Sequence, residues 1–145
     1  MKKLLLFFLS ISILLINCKE EDELEYINPP PSIYTYVPDD NFEIALINLG
    51  VDNTLNDTVL TEAIDTIKQL TLYNRNISDL SGIENFSALT LLDCSGNQLT
   101  SLDISKNTAL DFLFCQYNDI TNLNVDGATA LTLLSCFGNQ LSNLN

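Results

Sequence analysis

The chain has 145 residues, 46% hydrophobic and 17% charged, a composition that fits one folded domain rather than a disordered segment. Asp and Glu number 19 against 6 Lys and Arg, and a surface that acidic repels phosphate backbones, so nucleic acid is excluded as a partner. There is no His, which removes His-based triads, most zinc sites and imidazole acid–base chemistry, and with them the expectation of an enzyme.

Lys2 and Lys3 begin a targeting segment, and Leu4 to Ile16 is an apolar run broken only by Ser10 and Ser12. Its length suits a signal-peptide core and is short for a membrane span. The run ends in Leu15-Ile16-Asn17-Cys18, which resembles the lipobox of bacterial lipoproteins, with Asn17 where that family carries Gly, Ala or Ser. The resemblance implies a signal peptide over 1–17, acylation of Cys18 and attachment to a membrane through the lipid. Lys19-Glu20-Glu21-Asp22-Glu23 is similar to the surface-export signal of Bacteroidetes lipoproteins, which implies a surface-exposed outer-membrane location. Pro29-Pro30-Pro31 stiffens the chain beyond it, so residues 18–36 are expected to form an acidic, Pro-rich tether.

A short helix is expected next. Asp40 is the expected N-cap, with Glu43 at capping-box spacing. Phe42, Ala45, Leu46 and Leu49 share one helical face, and Gly50 ends the run. Residues 37–66 would thus form an N-terminal cap over the apolar end of the folded region. The stretch from Tyr36 to Ile47 is similar to the cap that precedes repeats in flavobacterial leucine-rich repeat proteins. Asp52, Asn53, Asn56 and Asp57 crowd the loop after the helix. They could ligate calcium, but the calcium-loop frame and its closing Glu are missing, and turn chemistry explains the same residues. Asp57-Thr58-Val59 and Asp65-Thr66-Ile67 resemble the short O-glycosylation sequon of Bacteroidetes.

From Leu89 onward a 21-residue phrase recurs. Leu89, Leu110 and Leu131 are in register, as are Leu92, Leu113 and Leu134, then Cys94, Cys115 and Cys136. Asn97, Asn118 and Asn139 come after them, then Leu99, Ile120 and Leu141, then Leu102, Leu123 and Leu144. A divergent first copy starts at Ile67 and carries Arg75 in the Asn column. The copies span 67–88, 89–109, 110–130 and an incomplete 131–145. The phrase L-x-x-L-x-C-x-x-N-x-[LI]-x-x-L resembles the leucine-rich repeat, and Leu80 to Phe86 resembles the back turn of internalin-like repeats. The fold class is therefore expected to be an α/β solenoid of about four parallel strands with irregular return segments, preceded by a small helical cap.

The Leu and Ile columns should fill the interior, and Asn97, Asn118 and Asn139 should turn inward to bond the backbone of neighbouring turns. Cys94, Cys115 and Cys136 fit a buried strand column as small apolar side chains. Disulfides are disfavoured because three stacked thiols leave one over, and parallel neighbours set their Cβ atoms side by side. No metal or cofactor is expected, because a ladder does not converge thiolates. Paired carboxylates of the glycosidase kind are explained by the acidic composition.

Strand alternation turns Gln69, Leu91, Phe112 and Leu133 outward, with Thr71, Asp93, Phe114 and Ser135. Tyr73, Ser95, Gln116 and Phe137 come next, then Asn74, Gly96, Tyr117 and Gly138. Tyr73, Phe112, Phe114, Tyr117 and Phe137 would form an exposed aromatic cluster on the concave face, the candidate ligand-binding surface. The expected function is protein–protein or adhesive binding there, with a protein or glycan ligand at the cell surface. The alternatives are an assembly subunit associating end to end through the incomplete last repeat, and a remnant of a longer repeat protein.

Overall fold

A computed structural model describes residues 33–142; the expected signal peptide, Cys18, most of the tether and Leu144 lie outside the described residues. The described chain enters as strand β1, Tyr34–Tyr36. The expected tether therefore ends sooner than residue 36. Thr35 is buried, and β1 pairs antiparallel with β2, Thr58–Leu60, Thr35 opposite Val59. Neither three-residue strand carries enough alternation to be recognised before its partner is known.

Between them lies helix α1, Asp40–Asn48, whose cap is Asp39 rather than the expected Asp40. Asp39 has extended dihedrals, and its Oδ1 accepts the amides of Asn41 and Phe42, each at 3.0 Å. Glu43 forms no capping box. It is fully buried, and its carboxylate accepts the amides of Asn56 at 2.9 Å, Asp57 at 3.0 Å and Thr58 at 3.2 Å. The amides of Asn56 and Asp57 would otherwise lack an acceptor, while that of Thr58 also reaches Asn56 Oδ1 at 3.1 Å, and together they draw the side chain inward. Asp52 and Asn56 bond their own loop, as turn chemistry requires. Phe42, Ala45 and Leu46 are buried as the helical spacing predicts, but Leu49 is 54% exposed, because the helix stops at Asn48 and the chain turns away. The one-turn helix α2, Thr61–Ile64, then leads into the repeats.

The repeats supply β3 (Gln69–Thr71), β4 (Leu91–Asp93), β6 (Phe112–Phe114) and β8 (Leu133–Ser135). They form one parallel four-stranded sheet in the order β3-β4-β6-β8, with Leu70, Leu92, Leu113 and Leu134 in line. The first three of these leucines are fully buried, and Phe42 of the cap packs on Phe86 of the first repeat with ring centroids 6.1 Å apart. This is the expected parallel-strand solenoid.

The return segments differ from the expected irregular course. β5 (Ser101–Asp103) and β7 (Asn122–Asn124) pair in parallel, with Leu102 opposite Leu123 and both buried. Two returns of equal length stack in register and satisfy each other's backbone groups. The longer first repeat turns instead through a 3₁₀ segment, Ile83–Asn85, whose Ile83 carbonyl accepts a bond from Asn107 Nδ2 at 2.8 Å. No helix among the described residues is long and apolar enough to cross a membrane.

Candidate functional site: the outer face of the strand sheet

The face rests on the turn after each strand, and the Asn column shapes that turn. Asn97 Oδ1 accepts the amides of Arg75 at 3.0 Å and Ile77 at 3.1 Å, while its Nδ2 donates to the carbonyls of Leu72 at 2.8 Å and Cys94 at 2.9 Å. Asn118 repeats the pattern one turn later, accepting from Leu99 and donating to Cys94 and Cys115. Asn139 accepts from Ile120 and donates to Cys115 and Cys136. Each Asn side chain thus ties its own turn to the preceding repeat.

Cys94 and Cys115 are buried and Cys136 half-buried, all three as free thiols. Burial pushes the Cys94 thiol well above its ordinary value, with the neighbouring Cys115 and Asp93 adding to the effect. Burial, and then Cys136, push Cys115 up to about 12. Burial thus keeps the Cys94 and Cys115 thiols protonated near neutral pH. The described residues hold no group of three or more His, Cys, Asp or Glu side chains placed to bind a metal ion.

Outward of this scaffold, Leu91, Phe112 and Leu133 stand side by side across β4, β6 and β8, with Phe112 37% exposed. Asp93, Phe114 and Ser135 form the next row, and Phe114 is half-buried rather than fully exposed. Ser95, expected outside, is buried; its amide and hydroxyl both bond Asp93 Oδ1 and fold it into the turn. Tyr73 (55% exposed), Tyr117 (62%) and Phe137 (57%) rise from the turns beyond the strands. The structure brings Tyr117 and Phe137 into direct edge-to-face contact, with centroids 4.9 Å apart and planes at 82°. Phe112 and Phe114 share one face of β6, while Tyr73 lies in the first repeat, two strands away in sheet order.

One feature of this face was missed by the outward pattern alone. Asn74, Gly96, Tyr117 and Gly138 occupy the same repeat position, and all four have left-handed φ, at 52°, 66°, 56° and 68°. Asn and Gly tolerate that region, but a bulky aromatic residue there carries strain of about 1–3 kcal/mol. Gly138 makes room for the Tyr117 ring, since a Cβ on it would lie 2.8 Å from Tyr117 Cδ1. The alignment of Tyr117 with Gly96 and Gly138 was the available signal.

Around the last three strands of the sheet the charge is acidic, while Lys68 and Arg75 flank β3 in the first repeat. Asp93 lies beside Phe114 in the register, Asp111 precedes Phe112 and is bonded by the Thr132 hydroxyl, and Asp119 accepts from Gln140 Nε2 at 2.9 Å. From residue 89 to residue 142 Lys106 is the sole basic residue, and it lies in the turn after β5, away from the sheet. Gln116, between Phe114 and Tyr117, keeps a buried Oε1 that accepts no hydrogen bond from the protein.

No protein-family model matches the chain. Over 77 residues, or 53% of its length, it is 38% identical to Internalin J of Listeria monocytogenes serotype 4b (strain F2365) and spans 8% of that protein. It is 39% identical, again over 77 residues, to Internalin J of L. monocytogenes serovar 1/2a (strain ATCC BAA-679 / EGD-e), spanning 9% of it. Among solved structures, the functional domain of InlJ from L. monocytogenes, described as including a cysteine ladder, superposes with a TM-score of 0.68 at 37% identity. The match covers 77% of this chain and 26% of that one. An internalin (inlF) from L. monocytogenes str. 4b F2365 superposes with a TM-score of 0.67 at 25% identity, covering 75% of this chain and 33% of that one. The chain is therefore homologous to Listeria internalins and shares their leucine-rich repeat solenoid.

Proposed function

We propose that the chain is a membrane-anchored, extracytoplasmic leucine-rich repeat protein that binds a protein partner through the outer face of its strand sheet. The observation that carries this reading is the row of exposed apolar side chains at Phe112, Leu133, Tyr117 and Phe137, on a scaffold whose inward columns already complete the core. The similarity to internalins supports a binding module rather than an enzyme. Anchoring rests on the pattern ending at Cys18, which implies acylation there, and the outer-membrane, surface-exposed location rests on Lys19-Glu20-Glu21-Asp22-Glu23. The test is affinity capture from cell-surface extracts with the wild-type chain and with Phe112→Ser/Phe114→Ser. Loss of a partner in the variant supports the site; an unchanged captured set rejects it.

A second reading, self-association end to end, is favoured by β8. It pairs only with β6 among the described residues, and Leu134 within it and Cys136 just after it are half-buried. Mass measurement in solution separates the two, because a strict monomer removes this reading.

A further inference from the structure

Resting on that protein-binding reading, we propose that the face is shaped for a basic partner: a Lys- or Arg-bearing segment of another protein, whose cation lies over the Tyr117–Phe137 pair. Three observations converge on this occupant.

The first is the pair itself. The rings meet edge to face, yet Tyr117 remains 62% and Phe137 57% exposed, so aromatic surface is left open to solvent. An open aromatic face carries negative electrostatic potential and attracts a cation, most strongly once a partner excludes water.

The second is charge. Asp93 and Asp111 stand beside the aromatic residues of β6, and from residue 89 to residue 142 the sole basic residue, Lys106, lies in the turn after β5; Lys68 and Arg75 belong to the first repeat, beside β3. An acidic segment would be repelled. A neutral apolar segment would strip water from the carboxylates and leave them without a counter-charge. A second copy of this chain would bring the same acidic surface. A basic segment alone answers the carboxylates.

The third is the cost at Tyr117. Its column uses Asn or Gly in the other repeats, and a ring this exposed recovers little of the left-handed strain through packing. The ring contributes little to the fold and is placed where a ligand meets it.

The test uses the full chain in mild detergent and three synthetic peptides of equal length: one alternating Lys and Arg with Ser, one with Glu in the basic positions, and one with Leu. Titration calorimetry should give the basic peptide an affinity at least about tenfold above the other two, weakening several-fold between about 25 and about 250 mM NaCl. Tyr117→Gly should reduce that affinity about fivefold or more without lowering the unfolding temperature, since Gly relieves the backbone strain. Phe137→Ser should reduce it as well, whereas Tyr36→Ser, on the distant cap strand, should leave it unchanged. Equal binding of the Leu or Glu peptide overturns the inference, and so does basic-peptide binding that ignores both Tyr117→Gly and Phe137→Ser. Absence of binding to any of the peptides overturns it too. A partner captured from extracts equally at low and high salt, yet lost with Phe112→Ser/Phe114→Ser, would overturn the basic ligand while leaving the binding face intact. Capture insensitive to both salt and those substitutions would remove both readings.

Discussion

Ser78 bonds the Asp39 carboxylate twice, its backbone N–H and its hydroxyl each 2.8 Å from Oδ2. The amide of Asp79 reaches the same oxygen at 3.2 Å, while Oδ1 caps α1. A single side chain thus fixes the start of the helix and the turn of the first repeat. Asp39→Ala should lower stability by about 2–3 kcal/mol, combining a lost cap with charge-assisted bonds to the repeat. Urea unfolding measures this, and a midpoint within error of wild type would show that the cap is held by packing alone.

The same carboxylate sets a pH dependence. Burial raises the Asp39 pKa, but the hydrogen bonds from Ser78, Phe42 and Asp79 outweigh it and leave the group below its ordinary value of 3.8. A carboxyl held lower in the folded state stabilises above its unfolded pKa and loses that contribution as pH falls through the folded pKa. The wild-type unfolding temperature should therefore drop below about pH 4. In Asp39→Asn the drop should be shallower, as thermal scans between about pH 2 and about pH 6 would reveal.

Glu43 is buried without a cation beside it among the described residues, and the amides of Asn56, Asp57 and Thr58 are its compensation. Glu43→Gln sets an NH₂ group against at least one amide that needs an acceptor. The expected loss is about 1–3 kcal/mol, with amide exchange rising first at residues 56–58. Unaltered exchange across that loop would mean that β2 holds it in place without the carboxylate.

Asn118 serves two repeats at once. In Asn118→Leu the Leu99 amide loses its acceptor at 3.0 Å, and the Cys94 and Cys115 carbonyls lose a donor. Destabilisation of roughly 2–4 kcal/mol should result. Thermal unfolding indistinguishable from wild type would show that these turns do not depend on the side-chain ladder.

The thiols should react in order of exposure. Near pH 8 a thiol reagent applied to the Cys18→Ser chain should modify Cys136 first, with Cys94 and Cys115 reacting only on unfolding. Because burial holds the Cys115 pKa at about 12 against an ordinary 9.0, its contribution to stability is complete below pH 9.0. It is lost as pH rises towards about 12. A Cys115→Ala variant should flatten this alkaline decline. Simultaneous labelling of all three thiols in the folded state would contradict the burial of Cys94 and Cys115.

The sequence by itself determined the solenoid. Leu, Cys and Asn recur at one spacing because every copy must present the same inward shape to the next, and that constraint is written locally in each copy. The outward aromatic residues were legible for the complementary reason, since alternation along a strand assigns sides before any tertiary contact exists.

What only the tertiary structure decided involves partners distant in sequence or backbone geometry that side-chain chemistry does not report. Asp39 prevails over Asp40 as the cap because Ser78 and Asp79 together hold its second oxygen. Glu43 abandons its capping box for amides 13 to 15 residues away. The return strands appear only when two turns of equal length lie side by side. Tyr117 looks like any exposed aromatic residue until the turn imposes left-handed φ on its whole column. That turn is the part of the repeated phrase where the backbone, rather than the side chain, selects the residue.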